Sequence, residues 1–147
     1  MLIRLNYAVE FRYGVLVDIA QRVMSGHPVD VTMGWVNVIW QRDAVEHSLR
    51  AITLAESPAT ILNVAGMPVI RVRELAERFA ARLGREAIIT GAEEPTAWLN
   101  NAAKAHSLFG PPNVSLDQAI EWTAAWVRNG GETLGKPTKF EKRDGNF

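Results

Sequence analysis

A chain of 147 residues with 48% apolar and 22% charged residues has the size and composition of one globular domain, which excludes disorder, collagen-like repeats and low-complexity assemblies. Sixteen basic residues balance sixteen acidic ones, so no general positive field exists to hold a nucleic acid or an anionic membrane, and neither is expected as a partner. The absence of cysteine removes disulfides, thiolate metal sites and a thiol nucleophile, and with no apolar run near the roughly 20 residues of a membrane span and no signal-peptide zones, the expected location is cytoplasmic.

The first seven residues, Met1 to Tyr7, form a mostly apolar run and predict a buried strand. Val15, Leu16, Ile19, Ala20 and Val23 then recur at helical spacing, and Gly26 with Pro28 stops that helix, which should span Gly14 to Ser25. Strand-like stretches follow at Val29 to Thr32 and at Val36 to Ile39. From Gln41 to Glu56, the face carrying Ala44, Ser48, Ala51, Ile52 and Ala55 predicts an amphipathic helix that ends before Ser57 and Pro58.

Thr60 to Ala65 reads as a buried strand closed by Gly66. The clearest helix carries the stripe Val72, Leu75, Ala76, Phe79, Ala80 and Leu83, with Gly84 as its terminator, and Ala87 to Thr90 gives one more short strand. Asn100 or Asn101 caps a helix through Phe109, which Gly110, Pro111 and Pro112 break. Ser115 and Gln118 have capping-box spacing and open a helix that turns Leu116, Ala119, Ile120, Thr123 and Val127 inward. Residues 1–130 are thus expected to form the ordered unit and residues 131–147 an irregular arm.

Several stretches suggest chemistry and mostly fail on inspection. Gly130 to Lys136 has the spacing of a phosphate-binding loop, but Pro137 follows the lysine where Ser or Thr is needed for magnesium, and a helix rather than a strand precedes it. His27, His47 and His106 have no partner at metal-ligand spacing; they read as surface or boundary residues, and no metal is expected. Glu93 and Glu94 before Pro95 read as a solvated loop. Trp122 and Trp126 share a helix face and read as core or subunit interface, whereas Trp35 and Trp40 flank a strand near a possible pocket.

Four segments in order carry a family resemblance over about residues 1–130: the strand ending Arg4-Leu5-Asn6-Tyr7; the next helix with Gly26-His27-Pro28-Val29; Val38-Ile39-Trp40-Gln41-Arg42-Asp43-Ala44; and Leu62-Asn63-Val64-Ala65-Gly66 with the tail through Asn100, Lys104, Gly110, Pro112 and Ser115-Leu116. In this order they resemble the C-terminal, substrate-side part of the extended short-chain dehydrogenases, the NAD-dependent epimerases and dehydratases. The resemblance implies an α/β, Rossmann-like fold of short strands and amphipathic helices with the cofactor-binding half missing. It also implies that Asn6 and Tyr7 face the reacting centre, while Arg12, Tyr13, Trp35, Asn37 and Trp40 line a small-molecule substrate pocket.

The family's catalytic tyrosine precedes a lysine by four residues, but here Phe11 follows Tyr7 and Val17 follows Tyr13 at that distance, and no glycine-rich turn joins a strand to a helix. No catalytic or cofactor-binding residue is therefore expected in this chain. NAD or NADP would be the cofactor of the parent enzyme and would not bind this chain alone. The partner would be the missing Rossmann half or a second copy, because a strand carrying Leu2, Ile3 and Leu5 needs cover. Where nucleotide-sugar enzymes carry an Arg-Asp pair this chain has Val36 and Asn37, so a substrate smaller or less charged than a nucleotide-diphosphate sugar is expected, with Val36 as an apolar pocket wall and Arg12 as a candidate anion contact. The alternatives are a stand-alone module that binds a small molecule or pairs with itself, and a regulatory subunit docking on an intact dehydrogenase.

Overall fold

The computed structural model describes residues 1–142, in which eight short strands and five helices alternate. β1 (Leu2–Leu5) runs parallel to β6 (Ile61–Val64), with Leu2 opposite Ile61 and Leu5 opposite Val64. β2 (Ala8–Val9) is parallel to β5 (Ile39–Trp40), and β3 (Val29–Asp30) to β8 (Ile89–Thr90). Only β4 (Trp35–Val36) and β7 (Ile70–Arg71) pair antiparallel among the described strands. Parallel pairing needs long crossovers, and helices fill them, which makes the architecture α/β.

The main core lies among α1 (Val15–Met24), α3 (Val72–Leu83) and α5 (Leu116–Arg128), which pack on one another. The α3 stripe is buried along its whole length, and Gly84 ends the helix at φ 64°, a left-handed conformation that costs glycine no Cβ clash. Leu16, Ile19, Leu75, Phe79 and Ile120 are fully buried there, each contributing about 1.5–3 kcal/mol of transfer free energy. The Ser115 hydroxyl accepts from the Gln118 N–H at 3.2 Å, so the anticipated cap starts α5. A smaller core joins β6 to α2 (Gln41–Ile52) and α4 (Ala103–Phe109) through Ala44, Ala51, Leu62, Val64 and Ala105.

Four local expectations need correction. The strand expected from Val36 to Ile39 is two strands with different partners, because Asn37 between them turns its side chain to the carbonyl of Gly66. Val36 is fully buried in the main core, so it is no pocket wall. α2 ends at Ile52, where the Thr53 hydroxyl bonds back to the Arg50 carbonyl at 2.9 Å; its buried face is Asp43, Ala44, His47 and Ala51, and Ile52 and Ala55 face outward. β1 is not buried: Leu2 and Leu5 are 59% and 53% exposed, and the strand pairs with β6 alone among the described strands.

Beyond α5, residues 131–142 form no helix or strand but are tied down. Leu134 donates to the Arg12 carbonyl at 2.9 Å, Thr138 places its N–H and hydroxyl on the Asp18 carboxylate at 2.6 and 2.5 Å, and Phe140 is buried in the main core. The rest of the anticipated arm, residues 143–147, lies outside the described residues.

Candidate substrate site

The parallel pair β1–β6 ends at Leu5 and Val64, with Asn6 and Ala65 just beyond, and in open α/β sheets ligands gather beyond the carboxyl ends of such strands. The Asn6 N–H extends the ladder to the Val64 carbonyl at 3.1 Å, and its side-chain amide donates to Asn37 Oδ1 at 2.8 Å. Asn37, only 2% exposed, donates from Nδ2 to the carbonyls of Asn100 at 2.8 Å and Gly66 at 3.2 Å, and its Oδ1 also accepts from the Asn100 N–H at 3.3 Å. One buried amide therefore joins the end of β1, the β4–β5 break, the end of β6 and the segment before α4. Each such bond is worth about 0.5–1.5 kcal/mol net, and more if a partner is left unpaired. Gly66 is required here, since a Cβ would lie 1.8 Å from the Val38 carbonyl oxygen.

Tyr7 follows at φ 39°, a conformation uncommon for a residue with a Cβ, and its carbonyl accepts from Ile39 N–H at 3.2 Å. Burial, followed by the negative charge of Glu141, pushes the Tyr7 phenol above its ordinary range. It is therefore a hydrogen-bond donor near neutrality, suited to a carbonyl or hydroxyl oxygen and unsuited to the role of general base. A hollow of about 420 Å³ opens beside this junction, lined by Asn37, Gly66, Met67, Leu99, Asn100 and His106.

The other expected pocket residues have different neighbours. The Arg12 side chain pairs with Glu10 at 3.4 Å at the edge of a groove of about 780 Å³ between α1 and the segment after α5. Tyr13 borders a hollow of about 370 Å³ with Leu5, Val45 and Leu49. Trp35 stacks under the Arg71 guanidinium, 4.8 Å from its ring centre. Trp40 joins an aromatic group, 5.0 Å from Phe11 and 5.5 Å from Trp122, and Phe11 stacks on Trp126 at 5.2 Å. These four rings line a hollow of about 570 Å³, whose Gly131 edge is so close to Trp126 that a Cβ would sit 2.2 Å from the indole.

Gly66 and Asn100 belong to the junction although no local motif marks them as site residues; the adjacent pair Asn100-Asn101 is the available signal. The residue at the N-cap of α4 is Ala102 rather than either asparagine; Asn101, just before it, accepts from Ala103 N–H at 2.9 Å, and Asn100 holds the Arg4 carbonyl at 2.9 Å. His47 was expected at the surface or its boundary, yet it is 2% exposed, because α2 turns that position toward α4. Glu93 receives two bonds from Arg73, at 2.7 and 3.2 Å, which hold its carboxyl down to about 2 and keep it ionised. Among the described residues no three His, Asp or Glu side chains converge as metal ligands, and no helix is long and apolar enough to cross a membrane.

No protein-family model matches the chain, and no curated protein does. Solved structures do. The UDP-glucose 4-epimerase of Thermus thermophilus, solved with NAD, superposes with a TM-score of 0.66 at 20% identity, over 86% of this chain and 45% of that one. The UDP-glucose 4-epimerase of Thermotoga maritima, solved with UDP-glucose, gives 0.68 at 18% identity over 87% and 45%. The UDP-glucuronic acid 4-epimerase of Bacillus cereus, in complex with NAD, gives 0.68 at 13% identity over 86% and 44%. The fold is that of the C-terminal part of the extended short-chain dehydrogenase epimerases, and the chain spans less than half the length of these structures.

Proposed function

We propose that this chain is the substrate-binding portion of an NAD(P)-dependent epimerase, dehydratase or reductase and is not catalytically competent alone. The observation that carries the proposal is the junction of Asn6, Tyr7 and Asn37 at the carboxyl end of the β1–β6 pair, in a fold shared with UDP-sugar 4-epimerases over 86% of the chain. In this reading Asn6 and Tyr7 meet the reacting centre with Asn37 beside them, whereas Arg12, Tyr13 and Trp40 border separate hollows and Trp35 packs on Arg71, so these four are not assigned to it. Asn37 acts through Asn6, since its own amide is taken by the chain. NAD or NADP binds the remainder of the parent enzyme, and the whole works in the cytoplasm. Residues 1–130 form the substrate unit, followed by an irregular arm whose described part, residues 131–142, is tied back onto it.

The substrate is a small carbonyl or hydroxyl compound less charged than a nucleotide-diphosphate sugar. A diphosphate needs cationic partners, and the hollow beside Asn37 has no Lys or Arg among its described lining residues. The test is calorimetry of the purified chain with NAD and NADP. No binding is expected, and a low-micromolar dissociation constant for either would overturn the reading.

Self-association is the second reading, supported by an uncovered apolar surface. Leu2 and Leu5 on β1 and Val45, Leu49 and Ile52 on α2 are 59%, 53%, 50%, 61% and 65% exposed, and the last three recur at helical spacing on one face. The same surface suits either the remainder of a parent enzyme or a second copy, and light scattering separates a monomer from a dimer.

A further inference from the structure

The imidazoles of His47 and His106 meet across the contact between α2 and α4, their ring centres 6.2 Å apart, and Phe109 lies 5.5 Å from His47. His47 is 2% exposed, and its Nδ1 is buried with no hydrogen-bond partner among the described residues. A buried lone pair without a donor is better tolerated than a buried N–H without an acceptor, so the neutral ring keeps Nδ1 unprotonated. A second proton would put an unanswered N–H and a charge where water does not reach. His106 offers no relief through Nε2: that atom is 2.9 Å from the Ala65 carbonyl, which only accepts, so it is already a donor.

The surroundings of His47 contain acids, but they are engaged. On its own helix the Asp43 carboxylate accepts from Val114 N–H at 2.9 Å and from the Asn113 amide at 3.3 Å, and Glu46 accepts from the same amide at 3.2 Å. Arg50 pairs with Glu46 at 3.4 Å and lies over the Phe109 ring. β2, β5 and β6, which also pack on α2, contain no titratable residue, and α4 contributes His106 and the exposed Lys104. Burial, and then the neighbouring His106, hold the His47 pKa below 6.5 against the pull of Glu46 and Asp43.

We propose that the His47–His106 contact is a pH-sensitive latch that, on acidification, releases α4 and with it the wall of the hollow beside Asn37. The coupling is short. α4 begins at Ala103, two residues after Asn101; the carbonyls of Asn100 and Asn101 accept from Asn37 and Asn63 at 2.8 and 2.9 Å, and His106 itself lines that hollow. Since the folded pKa is depressed, the unfolded chain binds more protons just below pH 6.5; the contact's contribution is complete above that value and is lost as pH falls.

The whole chain decides the matter by NMR, following the His47 ring signals and the exchange protection of the α4 amides from about pH 8 to about pH 5. The latch requires a His47 midpoint below 6.5 and an approximately tenfold loss of α4 protection, corrected for intrinsic exchange, that His47→Phe does not show. A midpoint at or above 6.5, or the same loss in His47→Phe, overturns it. Should His47→Phe fail to fold, the wild-type titration suffices: protection that does not fall together with the His47 ring signal contradicts the latch.

Discussion

Asn6 and Asn37 stand 31 residues apart in the chain and share a 2.8 Å side-chain hydrogen bond at the carboxyl end of the β1–β6 pair. Through Asn37 the same contact reaches Gly66 and Asn100, so removing the Asn37 amide leaves the Asn6 donor and three backbone groups to find other partners. Asn37→Ala should lose about 3 kcal/mol in urea unfolding at unchanged m-value. A loss below about 0.5 kcal/mol would show that water replaces the amide and that the junction is not a structural unit.

Gly66→Ala tests the same junction from the backbone. A Cβ placed 1.8 Å from the Val38 carbonyl oxygen meets main chain on both sides of the contact, so one of the two segments must shift. We expect a loss of about 3 kcal/mol and displaced amide signals for Asn37 and Val38. Wild-type stability would contradict the close approach.

Gly131→Ala is a milder case, because the obstructing atoms belong to the Trp126 side chain, 2.2 Å from the added Cβ. The indole should swing away from Phe11, giving up the stacked contact and its bond to the Glu132 carbonyl. A loss of about 1–3 kcal/mol with a shift in tryptophan emission is expected. Unchanged emission would mean that Trp126 is not seated there.

The Tyr7 phenol should titrate above 10, because burial and the charge of Glu141 both disfavour the phenolate. Its folded pKa is raised, so between the unfolded and folded values the native chain holds the extra proton, and stability falls as pH rises above 10. Tyr7→Phe should remove that alkaline loss in thermal unfolding. A Tyr7 phenol that ionises at or below 10 would refute it.

The long periodic elements were legible in the sequence. α3 follows its six-residue stripe and stops at Gly84, and α5 starts at its Ser115 cap, because helical period and cap chemistry are local and written in consecutive residues. β2, β4, β5 and β7 are two residues each, too short to show any period, and only their partners define them. For the same reason the apolar run from Val36 to Ile39 looks like a single strand in sequence, where Asn37 divides two. The Asn6, Asn37, Gly66 and Asn100 junction joins segments far apart in sequence, so spacing gave no access to it, and the burial of His47 depends on where α4 lies.

The most direct test of the central claim is a titration of the chain with UDP-glucose, an uncharged hexose, a small ketone and NAD, following the Asn6 and Asn37 side-chain amides and the Tyr7 backbone by NMR. The account predicts that the uncharged compounds move these signals, that UDP-glucose moves them no more strongly, and that NAD leaves them unmoved. Saturable shifts caused by NAD, or by no compound except at the Phe11, Trp40, Trp122 and Trp126 rings, would contradict it.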